Sequence, residues 1–298
     1  MTATTCSASS TSWRWPTIAV IGLIHAGALL APFTFTWGAF AVFMILQFVT
    51  GLLGVTLCYH RLLAHRSFQV PKGLEYVLAL CGSLALQSGP IKWVATHRMH
   101  HAFSDRPQDP HSPQRGFWWA HMLWLFVADD VLDDPQKFRC YAPDLAKDRI
   151  YRILDATTPL QTVILGTALW AVGGLPWLVW GVFLRITFVY HMTWLVNSAG
   201  HLWGYQTYDT NEGSRNNWWV ALLSYGEGWH NNHHAYLHSA AHGLHWWEVD
   251  ATYMMIRTLG WLGLASRIRL PQGKPAKLPA IGSRTRILLP IPVPQLSL

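Results

Sequence analysis

The polarity pattern of the chain is dominated by two long stretches without a charge. Residues 15–59 contain no Asp, Glu, Lys or Arg, and neither do residues 156–184, where the apolar run resumes after Arg185. A helix needs about 20 residues to cross the hydrocarbon core of a bilayer. Each stretch is therefore long enough for two crossings with a turn between them. Ala31-Pro-Phe-Thr-Phe-Thr-Trp37 supplies the first turn, and Gly173-Gly174-Leu175-Pro176 breaks the second stretch. The pattern predicts four transmembrane helices in two hairpins. Residues 74–88 are apolar but fewer, which predicts a re-entrant, interfacial or buried helix.

Between and after these stretches stand three polar clusters: His60-Arg-Leu-Leu-Ala-His65, His97-Arg-Met-His-His101 and His230-Asn-Asn-His-His234. A hairpin returns the chain to the side it left. The first cluster follows the second predicted span, the next lies between the hairpins, and the third follows the fourth span. All three then share one side of the bilayer. The two turns carry no Lys or Arg, while the histidine-bearing side carries nearly all of them, which makes that side and both termini cytoplasmic.

Composition agrees with a membrane protein. The chain has 298 residues, 51% hydrophobic and only 12% charged, against roughly 25% charged in soluble domains. Its 18 tryptophans suit the two membrane interfaces, where an amphipathic ring is half wet. The net charge of +7 is concentrated at one end. No acidic residue follows Asp250, whereas Arg257, Arg267, Arg269, Lys274, Lys277, Arg284 and Arg286 do, leaving the rest balanced at 15 basic and 15 acidic residues. Such a basic end suits anionic membrane lipid or an acidic protein partner. Nothing resembles a nucleic-acid recognition module, so no nucleic-acid partner is expected. Cys6, Cys58, Cys81 and Cys140 are scattered and read as reduced thiols. The division expected is a disordered Ser/Thr-rich lead at 1–16 without secretory-signal features, a membrane domain at 17–270, and a basic, Pro-rich irregular tail at 271–298.

The chain has 16 histidines, and eight of them fall in the three clusters. In H-x-x-H-H, residues three and four apart share one helix face, so His97, His100 and His101, or His230, His233 and His234, can address one centre. His60 and His65, five apart, suit a helix end at the membrane surface. Imidazole suits iron, zinc, copper and nickel. Eight clustered histidines exceed the four ligands of a structural zinc, which points to two metals.

These clusters, together with Asn197-Ser-Ala-Gly-His201, closely resemble the membrane fatty acid desaturase family. Gly116-Phe-Trp-Trp-Ala-His121, Trp194-Leu-Val-Asn-Ser198, Gly226-Glu-Gly-Trp-His-Asn-Asn-His-His-Ala235 and Trp246-Trp-Glu-Val-Asp250 are similar to its delta-9 acyl-lipid and acyl-CoA branch, especially cyanobacterial members. The likeness covers residues 13–270. It implies an all-α integral membrane protein whose four transmembrane helices carry a cytosolic helical cap holding a di-iron site. It also implies the ligands: His60, His65, His97, His100, His101, His201, His230, His233 and His234, with Asn197 reaching iron through water. Which histidine serves which iron is left open. The implied reaction is dioxygen-dependent desaturation, with two Fe2+ as cofactor and O2 as co-substrate. It places a cis double bond, at delta-9, in a saturated acyl chain of a lipid or acyl thioester.

An unactivated methylene has neither an acidic proton nor a leaving group, so acid–base and nucleophilic catalysis cannot attack it, whereas iron with dioxygen can. The chain has no GxGxxG unit and no haem box. Electrons are expected from a separate carrier, a ferredoxin first and a b-type cytochrome second. Asp105, Asp109 and His111 are candidates to orient ligand imidazoles, with a plain turn at Asp109-Pro110 as the simpler explanation. Trp118 and Trp229, with Trp119, Trp246 and Trp247, are candidates to line an acyl tunnel, interface anchoring being the simpler one. His25 and His191 read as hydrogen-bonded packing inside the spans, and Arg185 as snorkelling or paired within the bundle. Two other readings stand beside the desaturase: a histidine-box hydroxylase or ketolase of a lipid or hydrocarbon, and a non-catalytic metal-binding membrane protein.

Overall fold

The computed structural model describes residues 12–273. Among them the regular structure is entirely helical, with only isolated backbone bridges between loops. Residues 1–11 and 274–298, which hold most of the expected lead and tail, lie outside the described residues. The end of the lead is ordered, contrary to expectation. Ala128 N–H donates to Ser12 O at 2.9 Å and Arg14 N–H to Phe126 O at 2.8 Å, and Arg14 pairs with Asp133 at 2.8 Å. Backbone pairing and a charge pair hold residues whose composition alone reads as unstructured.

Helix α1 (Trp15–Ala28) starts on Pro16, which is pre-set for a first turn. A 3-10 turn, Ala31–Thr34, leads to Thr36, whose hydroxyl caps α2 (Trp37–Gln47) by accepting from Ala39 N–H at 3.0 Å. The helix then continues as π-helical turns over Phe48–Ala64. Helix α3 (Lys72–Ser83) crosses that segment so closely that a side chain at Gly54 would meet the Gly82 nitrogen at 2.5 Å. It is the buried or interfacial helix expected over 74–88. Helix α4 (Pro90–Phe103) follows, its first turn capped from far away: Asp155 Oδ1 accepts from Ile91 N–H at 3.0 Å and Lys92 N–H at 3.2 Å. Three short helices, α5 (Phe117–His121), α6 (Pro135–Arg139) and α7 (Pro143–Ala146), lead to the longest.

Helix α8 (Arg149–Leu178) is broken at Gly174, where φ is 64° and ψ −158°, a conformation open to glycine alone. The chain folds back there. Gly166 faces Leu178 and Val182, and Gly181 faces Leu169, the pairing of an antiparallel hairpin. After the π-helical Val179–Leu184 comes α9 (Arg185–Leu202). Helices α10 (Trp218–Leu223), α11 (His230–Ala235) and α12 (Ala251–Trp261) complete the polar end.

Two helices are long and apolar enough to cross a membrane, Trp37–Ala64 and Arg149–Leu202, the second being the one Gly174 folds. Helix α1 is apolar but has 14 residues, about 21 Å at 1.5 Å per residue. It packs against the returning arm of the other hairpin: Gly27 lies against Phe183, and Trp180 Nε1–H donates to Ala31 O at 3.1 Å. Large apolar side chains face outward along these helices, Phe33 being 85% and Val172 74% exposed. A water-soluble surface rarely carries so much. Inside, Arg185 is fully buried, and donates to Gly181 O, Thr50 Oγ1 and Leu84 O. Its Nε and one terminal nitrogen donate to oxygens within the bundle, while the other terminal nitrogen is buried without a partner.

Candidate metal centre

The nine predicted histidines lie together, in two groups. His60, His65, His97, His101 and His233 form one, and His100, His201, His230 and His234 the other, with one nitrogen from each residue within 4.8 Å of the rest of its group. Helix spacing explains the split. On α4, His97 and His101 are four apart and serve the first group, while His100, turned between them, serves the second. Helix α11 mirrors this: His230 and His234 serve the second group and His233 the first. The groups adjoin, with the His101 and His234 rings 4.5 Å apart.

His60 and His65 need a different explanation. Five residues of α-helix turn the chain by about 140° beyond a full turn, which would point them apart. Here His65 N–H donates to His60 O at 3.1 Å, an i→i+5 closure at the end of the π-helical segment, and the two rings stand 4.8 Å apart.

Within the first group the Nε2 atoms form a run: His65 to His97 2.7 Å, His97 to His101 2.9 Å, His101 to His233 3.0 Å and His233 to His60 3.2 Å. In the second, His201 to His230 is 3.0 Å and His230 to His234 3.1 Å. Ligand nitrogens about 2.1 Å from an ion and at right angles to one another lie about 3.0 Å apart. A single facing pair can share a proton, as His25 and His191 do, but here five and four ring nitrogens converge on one place each, and that donor set fits a metal in each group.

Their outer nitrogens face carboxylates. His60 Nδ1 is 2.5 Å from Glu227 Oε2, His100 Nδ1 2.9 Å from Asp109 Oδ2, and His201 Nδ1 3.2 Å from Asp105 Oδ1. Glu212 lies 3.6 Å from both His201 and His234. A carboxylate on Nδ1–H leaves the Nε2 lone pair for a metal. Burial first, then neighbouring imidazoles, pushes His65, His97, His101, His230, His233 and His234 well below the usual histidine range, so they stay neutral. Burial opposes the charge on Glu227 and Asp109, but Arg61 with His60 and His242 around the first, and His100 with His111 around the second, hold both below the ordinary carboxylate range.

Of the three candidates, Asp109 and Asp105 lie against His100 and His201, and the ring of His111 lies 4.4 Å from that of His100. Asp109 also caps its own turn by accepting from His111 N–H at 3.2 Å. The tryptophan candidates do not line either of the two cavities described below. Trp118 is 64% exposed, so its ring faces outward, and buried Trp229, just before α11, is engaged in packing and donates from Nε1 to Val249 O at 2.9 Å. Trp93, Trp124 and Trp194 line one instead. That cavity, of about 510 Å³, runs from His97, His111 and Asn197 past Leu86, Tyr190 and Ile21 to Arg14, Lys92 and Asp133. A smaller one, of about 40 Å³, lies between the groups beside His60, His97, His100, His230 and Asn197.

Sequence reasoning assigned no role to Glu227, Glu212, His242 and Arg61. His242 Nδ1 is 3.1 Å from Glu227 Oε2, and Arg61 binds both Glu227 and Asp250. The only available signal was a glutamate three residues before His230. His25 and His191 stay outside both groups. They continue in series, His25 to His191 at 3.1 Å, His191 to His121 at 3.0 Å and His121 to Ser198 at 3.0 Å, which is hydrogen-bonded packing.

A family model described as fatty acid desaturase matches residues 35–260. The chain is 49% identical to the sn-2 palmitoyl-lipid 9-desaturase of Nostoc sp. (strain 36), over 89% of this chain and 94% of that protein. It is 50% identical to the sn-1 stearoyl-lipid 9-desaturase of Anabaena variabilis, over 92% and 100%. It is 46% identical to the acyl-CoA 5-desaturase AL21 of Anemone leveillei, over 85% and 79%.

Proposed function

The chain belongs to the fatty acid desaturase family and is a fatty acyl desaturase, an oxidoreductase; from that premise we propose that it is a di-iron delta-9 enzyme acting on saturated acyl chains of membrane lipid. The observation that carries this reading is nine imidazoles in two groups, seven of them buried and His97 and His101 half-buried, with His97 also lining a large, mainly apolar cavity. Two relatives at 49% and 50% identity are named lipid 9-desaturases, which supports both the position and the carrier.

His60, His65, His97, His101 and His233 would hold one iron, and His100, His201, His230 and His234 the other. Asn197, beside a cavity large enough for water, would reach the second through a water molecule. The irons, with dioxygen and two electrons from outside, supply the oxidising power for two C–H bonds. The chain's residues do the rest. Asp109, Asp105 and Glu227 fix imidazole orientation. Trp93, Trp194, Tyr190 and Leu86 exclude water and hold the acyl chain so that one carbon pair lies within reach. Arg14, Lys92 and Asp133 meet the polar end of the substrate.

In this reading residues 17–270 form the desaturase domain. The chain crosses the bilayer four times, as α1, Trp37–Ala64 and the two arms of the hairpin at Gly174, and the histidine-bearing cap is cytoplasmic. The shared side of all three histidine clusters supports it. Ferredoxin is the electron donor.

The test is expression in a host that supplies ferredoxin, with double bonds in lipid acyl chains located by mass spectrometry and His100→Ala alongside. A new bond between carbons 9 and 10, lost in the variant, is expected. A hydroxylated product would replace this reading with that of a hydroxylase, and a protein without iron would end it.

A further inference from the structure

Three stretches far apart in the chain meet beside His65. Arg269 N–H donates to Ser67 O at 2.8 Å, and Gln69 and Ser266 exchange backbone bonds of 2.9 and 2.8 Å. Ala240 N–H donates to Arg269 O at 2.8 Å, and Ser67 Oγ–H to Ser239 O at 3.2 Å. On this braced surface stands His238, exposed, its Nδ1–H donating to the carbonyl of His65 itself at 2.9 Å. An exposed ring is thus one hydrogen bond from a residue of the five-imidazole group.

The charge around it is one-sided. Arg66 and Arg98 share Asp144. Arg267 and Arg269 are both exposed, and among the described residues neither stands in an ion pair. Lys274 and Lys277 follow in the sequence, with no acidic residue after Asp250. Exposed cations such as Arg267 and Arg269, without a counter-charge of their own, are suited to steer a partner of opposite sign.

Resting on the di-iron reading above, we propose that this surface, built on Arg267, Arg269 and His238 over His65, docks an acidic one-electron carrier protein. Each turnover removes two hydrogen atoms from the acyl chain and reduces one dioxygen to two waters. That takes in two protons and two electrons, so two reduced carriers are oxidised by one electron each. Electron transfer weakens steeply with distance, so the carrier must dock close to the centre. Here the way in is a ring at the surface, one hydrogen bond and the His65 residue. Guanidinium groups pair bidentately with carboxylates, which favours a carrier with an acidic face. An anionic lipid surface would attract the same arginines, and the test separates the two.

The iron-loaded full chain in detergent is titrated with a plant-type [2Fe–2S] ferredoxin, and separately with vesicles containing anionic phospholipid. In the wild type, ferredoxin affinity is expected to fall as salt rises. In Arg267→Glu/Arg269→Glu it is expected to be at least tenfold weaker, with a flatter salt dependence. Unchanged ferredoxin affinity, or a loss confined to vesicle binding, overturns the proposal. Because binding is read directly, failure of the desaturase reading would show separately, as absence of product. If the double variant loses iron, Arg267→Lys/Arg269→Lys decides instead: zero-length coupling to ferredoxin carboxylates is expected at 267 or 269, and coupling confined to other lysines overturns it.

Discussion

Glu227 shows how much a single side chain can organise at this centre. Its Oε2 lies 2.5 Å from His60 Nδ1 and 3.1 Å from His242 Nδ1, and its Oε1 pairs with Arg61, which in turn holds Asp250 and the carbonyl of Ala240. A buried carboxylate with these partners stays charged, and its charge turns the His60 lone pair inward. Replacing it with Gln keeps the shape but removes the charge from both imidazoles and strands Arg61 beside one fewer anion. Losing such an outer partner costs about 10- to 100-fold in metal affinity. Glu227→Gln is therefore expected to lose iron to a chelator at concentrations the wild type withstands, measured as iron per chain. Retention equal to wild type would mean that Glu227 orients nothing. Asn231 and Asn232, which separate the histidines of the third cluster, have another task. They point away from the metal groups and pin surrounding loops, Asn231 accepting from Thr207 and Tyr208 N–H, each at 2.8 Å, and Asn232 donating to Glu248 at 2.8 Å.

At the scale of elements, the helix breaks matter as much as the helices. Gly174 turns one 54-residue apolar helix into a hairpin, and the returned arm carries Asn197 and His201 to the polar end. Any Cβ at φ 64°, ψ −158° costs about 1–3 kcal/mol. Gly174→Ala is expected to lower the thermal midpoint in detergent without changing the iron bound by the protein that remains folded. An unchanged midpoint would mean that this bend relaxes freely. The π-helical closure of His65 on His60 is a second break with a consequence, since without it a five-residue spacing would split the pair. Helix α4 is set from a distance, by Asp155 of α8, so the second histidine cluster depends on a helix some 50 residues further along the chain.

For the whole molecule, the decisive relation is between the cavity and the metal groups. Thr193, one helical turn before Asn197, lines the cavity together with Asn197 and His97. Thr193 also lines the smaller cavity beside His60, His97, His100 and His230, so filling this place should block the acyl chain, and iron content tells whether the histidine groups are disturbed as well. Thr193→Trp is expected to lower desaturation at least about tenfold, since positioning errors of 1 Å already cost as much or more, while iron per chain stays at the wild-type value. Lost iron together with lost activity would show that Thr193 supports the centre, and unchanged activity that the substrate takes another path. The hydrophobic outer faces of α1, α2 and α8 and the polar end that holds the histidines are parts of the same arrangement.

Much of this was legible in order along the chain, because hydrophobic runs, helix-breaking Gly-Pro segments and H-x-x-H-H spacing act through local geometry. The two charge-free stretches, the break at Gly174 and the eight histidines of the three clusters could be read before any coordinate, whereas His201 was named only through the family resemblance. The lead around Arg14 could not, since its order comes from pairing with Phe126, Ala128 and Asp133, more than a hundred residues away. Nor could the tunnel: tryptophans are alike in sequence, and only packing turns Trp93 and Trp194 toward the cavity and Trp118 toward the outside. The division of the histidines into five and four, and the roles of Glu227, Glu212 and His242, also belong to the tertiary structure. Spacing within a helix determines which side chains share a face, but which neighbour that face meets is set by how separate helices pack.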